Sequence, residues 1–459
     1  MKRRTDHDAS FKDPAAKVFF IENEDGFIFR ELSPEYLSHY NHFKSSGLAE
    51  ELLKKNLLIP FEETQDSAGQ VILKAKKIPF VSYPYEWTFT QWKEAALLTL
   101  KVQYQALKHG MILKDAAPFN IVFDGCRPVF VDISSFEIYR EGEPWKAFKQ
   151  FSENFYIPLL LVKYFDAVGN QVYQSNIAGI PLSKGLALLP AKVYFNFNTL
   201  LYLVLPGNMR KHLKDKQGAE QSKKITAKSL MQFSDQLFLN ISKLKQNKIQ
   251  TKWNDYYDRN TDEKYLLEKE QVIKEWIGVN YQNKVLIDFG CNTGNFSKLA
   301  AGNVHSVIAF DEDIRSVDEF YNACRQNKLN NIFSFTANIS QPAPAVGWNN
   351  EERESLKKRL HGDIGLALAL IHHLAITNHI NFDMMADFFA NCCDEMIIEF
   401  VPKEDAKVQL LLASREDIFN WYNENNFIAS FKEKFNLIKQ HRFSNNRALM
   451  HFTGKKNEQ

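Results

Sequence analysis

Residues 285–296, Val-Leu-Ile-Asp-Phe-Gly-Cys-Asn-Thr-Gly-Asn-Phe, constrain this chain more than any other stretch. An apolar run carries an acid near its end, Asp288. Two glycines follow, Gly290 and Gly294, and a helical continuation runs from Ser297 to Ala301. This is the layout of a buried strand that turns on glycine and opens a helix, and glycine there lets a ligand approach where a Cβ would collide. A second apolar strand, Ser306 to Phe310, leads to Asp311. An acid at that point, about twenty residues after the first strand, suits a pair of ribose hydroxyls. The pattern Asp-x-Gly-x-x-x-Gly is looser than the dinucleotide fingerprint, and Cys291 stands where a nicotinamide fold favours a tighter glycine run.

The strands that follow keep the same register. Asn331 to Phe335 reads as a third strand ending near Asn338. Asp363 to Leu370 is a fourth, apolar almost throughout and therefore covered on both faces. Glu395 to Val401 is a fifth, and Phe435–Gln440 and Arg447–Phe452 would close an antiparallel edge. Helical stretches separate the parallel strands, as right-handed crossovers require. Gly290, Asp311, Asn338 and His372 all fall at strand ends, where ligands bind in open sheets of this kind.

These residues resemble motif I of the class I S-adenosylmethionine-dependent methyltransferases, with Asp311 as the acid after the second strand. The resemblance implies an α/β fold with a Rossmann-like seven-stranded methyltransferase sheet over residues 251–459, after a preliminary helical stretch from Trp253 to Ile277. It implies S-adenosyl-L-methionine as cofactor, held by Asp288, Gly290, Asn292, Gly294, Asp311 and Asn338, the last on the adenine edge. Methyl transfer to a hydroxyl also needs a proton acceptor. His372 and His373 follow the fourth strand directly, and an unperturbed imidazole titrates near neutral pH. His372 is favoured, because His373 begins the helical turn with Leu374. Glu399 ends the fifth strand and would orient a histidine or the acceptor, or cap the next turn. Gln341 to Trp348 forms a loop, introducing a charged helix from Glu351 to Leu360. Trp348 would stack on a substrate or fill a core, and the stretch from Arg415 to Tyr422 would form part of an acceptor wall.

The N-terminal region, residues 1–140, holds a second constellation. Asp115, Asn120 five positions on, a hairpin and Asp132 at the end of an apolar strand resemble a kinase catalytic loop. In kinases the first Asp orients the accepting hydroxyl, and the Asn and second Asp hold magnesium. Pro79 to Trp87 resembles the hinge strand, and Phe89 to Lys108 the long helix beneath it. The match departs in four places, the first being His109, which does not sit at the expected offset before Asp115. Asp132 continues as Ile-Ser-Ser-Phe, the hairpin from Val18 to Leu32 lacks a phosphate-covering glycine loop, and Arg30 stands where kinases place a lysine. A degenerate kinase-like α+β domain used for binding is the expectation, with a bifunctional kinase–methyltransferase as the alternative. Residues 141–250 are expected to form a helical extension and a basic linker whose lysines, Lys211 to Lys228, read as a solvated face.

Longer strings, among them Phe80 to Trp87, Gln341 to Trp348, Ala369 to Leu374 and Ile398 to Lys403, resemble one group of bacterial class I methyltransferases related to host-specific nodulation proteins. That resemblance runs from about Lys17 to Phe452 and leaves the acceptor open. A small molecule or glycan is favoured over RNA, because a net charge of +2 offers no concentrated basic face for phosphate tracking. The five cysteines have no metal spacing and read as buried thiols of a reducing compartment. No charged leader with an apolar core and no bilayer-length apolar run is visible, as expected of a cytoplasmic enzyme.

Overall fold

The structure, a computed structural model, describes residues 3–195, 202–203, 225–247, 263–413 and 415–455. Lys211 to Lys224 of the basic stretch lie outside the described residues. The chain divides into two compact units, residues 1–249 with 346–353, and residues 250–345 with 354–459. Among the described residues no helix is long and apolar enough to cross a membrane.

The first unit opens with five strands, β1 (Arg4–Asp6), β2 (Ala16–Ile21), β3 (Phe27–Leu32), β4 (Phe61–Gln65) and β5 (Val71–Lys76), paired antiparallel in the order β1-β2-β3-β5-β4. Helix α1 (Phe89–Lys108) follows. Thr88 caps it reciprocally with Gln91: the Gln91 N–H donates to the Thr88 hydroxyl, and the Thr88 N–H to the Gln91 side chain. Trp92, Ala95, Ala96, Thr99, Gln103, Ala106 and Leu107 are buried along one helical face. Strands β6 (Met111–Leu113), β7 (Ile121–Asp124), β8 (Arg127–Phe130) and β9 (Phe136–Ile138) then form two small antiparallel pairs, β6 with β9 and β7 with β8. Helix α2 (Ala227–Ser242) packs against α1 through Leu230, Ser234, Leu237 and Ile241.

In the second unit, helix α3 (Glu263–Trp276) precedes β10 (Val285–Phe289), helix α4 (Asn295–Ala300), β11 (Ser306–Asp311), helix α5 (Ile314–Gln326), β12 (Ile332–Thr336) and β13 (Gly362–Ala367). Helix α6 (Phe382–Cys392), β14 (Cys393–Phe400), helix α7 (Ala406–Leu412), helix α8 (Glu424–Lys432), β15 (Phe435–Arg442) and β16 (Ala448–Gly454) complete it. The seven strands form one sheet in the order β12-β11-β10-β13-β14-β16-β15. The first five run parallel and β16 and β15 antiparallel. The expected seven-stranded α/β sheet is therefore present. Its order reverses between β10 and β13, the position at which open sheets of this kind take ligands beyond the carboxyl ends of the strands.

Two expectations need correction. The fourth strand stops at Ala367 rather than Leu370, because Ala369 takes φ +50° and turns the chain. The charged helix foreseen from Glu351 shortens to Leu356–Arg359. Ahead of it Val346 and Arg353 pair across a tight loop, and Glu352 is buried, accepting from Lys12 Nζ at 2.7 Å and the Trp348 N–H at 3.2 Å. Trp348 is 75 % exposed, so it fills no core.

Candidate active site

The turn after β10 is held by the neighbouring strand. Gly290 and Cys291 both donate backbone N–H groups to the Phe310 carbonyl, at 2.9 and 3.0 Å. Gly290 has φ +78°, and a Cβ there would lie 3.4 Å from Leu370 Cδ1 and 4.0 Å from Asp311 Oδ2. Asn292 also has positive φ, and its N–H donates to Asp311 Oδ2 at 2.9 Å, while Asp311 Oδ1 accepts from the Asp313 N–H at 2.9 Å. Gly294, at φ +70°, caps α4, and a Cβ on it would meet the Phe320 ring at 2.1 Å. Asp288 is buried, with the Ser297 hydroxyl donating to it at 2.5 Å. Burial pushes the carboxyls of Asp288 and Asp311 up to about 6. A buried and a half-buried carboxyl beside a bare glycine turn fit a ligand that brings hydroxyl or ammonium donors. Asn338 lies beyond β12, half-buried. Its oxygen accepts from Ser340 and Gln341, and its Nδ2 donates to Glu312 Oε2 at 2.8 Å.

Beyond β13 the two histidines sit side by side, ring centroids 4.2 Å apart. His372 is fully buried, at 0 % exposure, and among the described residues neither of its ring nitrogens has a hydrogen-bond partner. His373 is half-buried and opens the turn His373–Thr377. Of the pair, His373 is therefore the one within reach of solvent. Burial, and then the Lys407 ammonium, bring His373 down to about 4. His372 is held well below the usual imidazole range by burial, then by His373, Arg447 and Lys407.

Glu399 is fully buried and receives Tyr265 OH, Lys269 Nζ and Arg447 Nη1. Arg447 also grips Asp405 with two bonds, Nε to Oδ2 at 2.8 Å and Nη2 to Oδ1 at 3.2 Å. Glu399 thus anchors α3 and the β15–β16 turn to the end of β14 and makes no hydrogen bond to His372. In the foreseen acceptor wall, Phe419 and Tyr422 are buried, Arg415 donates to the Ile376 carbonyl, and Asp417 pairs with Lys403 at 2.7 Å.

In the first unit the three kinase-loop residues lie in one network. Arg30 of β3 forms an ion pair with Asp132 and donates to Ser134 Oγ at 2.8 Å. Ser134 and Ser135 hydroxyls donate to the two oxygens of Asp132, and Asn120 Nδ2 donates to Ser135 Oγ at 3.0 Å. Asp115 accepts from Gln150 Nε2 at 2.6 Å and the Ala117 N–H at 3.0 Å, and its pKa is raised by burial and then by Asp132.

No domain-family profile matches the chain. It is 31 % identical over 446 residues to nodulation protein NoeA of Rhizobium meliloti strain 1021, covering 94 % of this chain and 92 % of that one. The chain belongs to the NoeA family of nodulation proteins. Among solved structures, the N-methyltransferase NodS of Bradyrhizobium japonicum WM9 aligns at 12 % identity and TM-score 0.31, over 42 % of this chain and 99 % of that one. The magnesium protoporphyrin IX methyltransferase of Synechocystis PCC 6803 aligns at 14 % identity and TM-score 0.31, over 44 % of this chain and 91 % of that one. Likenesses this distant carry no inference for the NoeA-family chain.

Sequence reasoning missed four residues of this NoeA-family site. Tyr265 and Lys269 sit four apart on α3, so they share a helical face, but nothing in their spacing says that the face meets Glu399. Arg447 had been placed in a strand and instead lies in the turn just before β16. Lys407 is the second residue of α7, one turn of which stands against the His373 turn.

Proposed function

We propose that the second unit is an S-adenosyl-L-methionine-dependent methyltransferase acting on a small molecule or glycan. The observation that carries this is the pair of carboxyls, the buried Asp288 and the half-buried Asp311, at adjacent parallel strand ends around a glycine turn with positive φ. The residues present fit such a ligand. Asp311 would hold the ribose hydroxyls, Asp288 would brace the turn, and the bare Gly290 would allow close approach. When bound, the cofactor supplies an electrophilic methyl group on sulfur. The chain then has to position an acceptor, exclude water and, where the acceptor bears a proton, receive it. His373 is the accessible imidazole for that last role, with His372 behind it.

The test is calorimetry with S-adenosylhomocysteine. One-to-one binding is expected, with Asp311→Ala weakening it by about 1–3 kcal/mol and Gly290→Val abolishing it by steric clash. Absence of binding by the wild type would refute the reading. For the first unit we propose a degenerate kinase-like layout, over residues 1–140 ahead of a helical extension to 250, that serves in binding or scaffolding and does not transfer phosphate. The Arg30–Asp132 pair supports this, because the carboxylate a magnesium ion would need is already neutralised.

A further inference from the structure

The ends of β11 and β12 stay joined beyond their last ladder residues. Asp311 lies opposite Thr336, and the Ala337 N–H donates to the Asp311 carbonyl at 3.0 Å. The residues that follow, Glu312 and Asn338, meet through their side chains, Asn338 Nδ2 donating to Glu312 Oε2 at 2.8 Å. The amide is fixed in one orientation. Its oxygen accepts from the Ser340 N–H at 2.8 Å, the Ser340 hydroxyl at 2.7 Å and the Gln341 N–H at 3.2 Å. An amide nitrogen carries two protons, and a carboxylate has about four acceptor positions. Among the described residues Asn338 is the only group hydrogen-bonded to the Glu312 carboxylate, so one amide proton and most of that acceptor capacity are left over. The acids on either side are tied to backbone: Asp311 accepts the Asn292 and Asp313 N–H groups, and Asp313 caps α5 through the Arg315 N–H at 2.9 Å. Glu312 is exposed and Asn338 half-buried, so both are open to a ligand.

We propose that Glu312 and Asn338 together read the base of the methyl donor, with Glu312 as the residue that selects adenine. This rests on the methyltransferase reading above and deepens its cofactor site. With the ribose on Asp311, the base has the end of β12, and therefore this pair, as its neighbour. Adenine presents a donor beside an acceptor, its exocyclic amine next to a ring nitrogen. The remaining Asn338 proton matches the ring nitrogen, and the Glu312 carboxylate matches the amine. Their separation of 2.8 Å suits two adjacent groups of one base. The same pair rejects a base in which oxygen replaces the amine. That oxygen brings lone pairs against a carboxylate and leaves both without a donor. Asn338 alone would not discriminate, because its spare proton is satisfied by a ring nitrogen of either base. A site that hydrogen-bonds a ligand group excludes the analogue lacking it far more strongly than shape alone does.

The experiment is calorimetry on the full chain with S-adenosylhomocysteine and with S-inosylhomocysteine, the same molecule bearing oxygen in place of the amine. The wild type should bind the adenine form about a hundredfold more tightly, since one charge-assisted hydrogen bond is exchanged for a stranded acceptor. Glu312→Gln supplies an amide that donates to oxygen as well as accepting from the amine, and it should cut that preference about tenfold or more. Because the preference compares two ligands on one protein, a general loss of charge or of folded fraction cancels from it. The thermal midpoint of each protein is followed, and the wild-type preference stands as a measurement without the variant. Equal affinity of the wild type for the two ligands would overturn the proposal and leave the methyltransferase reading in place. A preference that survives Glu312→Gln undiminished would overturn it as well, showing that Glu312 does no more than hold Asn338. Failure of S-adenosylhomocysteine to bind would sink the methyltransferase reading itself and this inference with it.

Discussion

At the level of single residues, the glycine turn and its two acids perform separable tasks. Gly294 is required by packing as much as by φ, since a methyl group there would overlap the Phe320 ring. Gly294→Ala should therefore cost about 1–3 kcal/mol by overpacking and backbone strain, and Phe320→Leu in the same chain should recover part of it. Urea unfolding of the two variants checks this. Equal losses in single and double variants would mean that the φ of +70° alone sets the requirement. The acids give a pH signature. Their folded pKa values rise from 3.8 to about 6, so the native state binds these protons more tightly than the unfolded chain does. Stability from this source is fully present below about pH 4 and is lost as pH rises through about 6. Asp288→Asn should flatten that slope, measured as thermal midpoint against pH without cofactor. An unchanged slope would show that burial does not perturb Asp288 as described.

Among the elements, α3 is attached to the sheet by charge rather than by apolar burial alone. Lys269 and Glu399 are nearly or wholly buried, so removing Lys269 takes away the nearer of the two cations on Glu399 and leaves Tyr265 and the longer Arg447 contact at 3.5 Å. Lys269→Met alone should destabilise by about 3–5 kcal/mol, and Lys269→Met with Glu399→Leu should restore most of that loss. Chemical denaturation of the single and double variants decides it, and strict additivity would contradict a coupled pair. This network also marks where the sequence stops being legible. The parallel strands read directly, because β10 to β14 are nearly continuous apolar runs that only a sheet covered on both faces can bury. The glycines and acids at their ends read for the same reason, since strand ends fix where a crevice opens. Glu399 was visible as a charge ending a strand, but its partners lie 130 and 48 positions away in sequence, and no local pattern encodes such a meeting. The loop around Glu352 misled for a related reason. Its composition is helical, but a buried carboxylate receiving Lys12 and the Trp348 N–H outweighs propensity.

For the molecule as a whole, the ion pair on Asp132 gives the sharpest test of whether the first unit is a second enzyme. Asp132 is held below the usual carboxylate range by Arg30, then by Ser134 and Ser135, against the opposing effect of burial. Both of its oxygens already accept hydrogen bonds, so a magnesium ion would have to displace a guanidinium whose own desolvation has been met by this partner. Magnesium with ATP should therefore leave the thermal midpoint of the wild type unmoved. Arg30→Met should lose about 3 kcal/mol of stability by leaving Asp132 buried without its cation, and divalent ions should return part of that loss by taking the guanidinium's place. The comparison of wild type and Arg30→Met, each with and without magnesium chloride, separates the cases. A magnesium-dependent shift with ATP in the wild type, abolished by Asp132→Asn, would overturn the binding role and make the chain a kinase joined to a methyltransferase. Recovery of Arg30→Met by magnesium alone, with a silent wild type, would show that Arg30 fills the position a metal takes in active kinases.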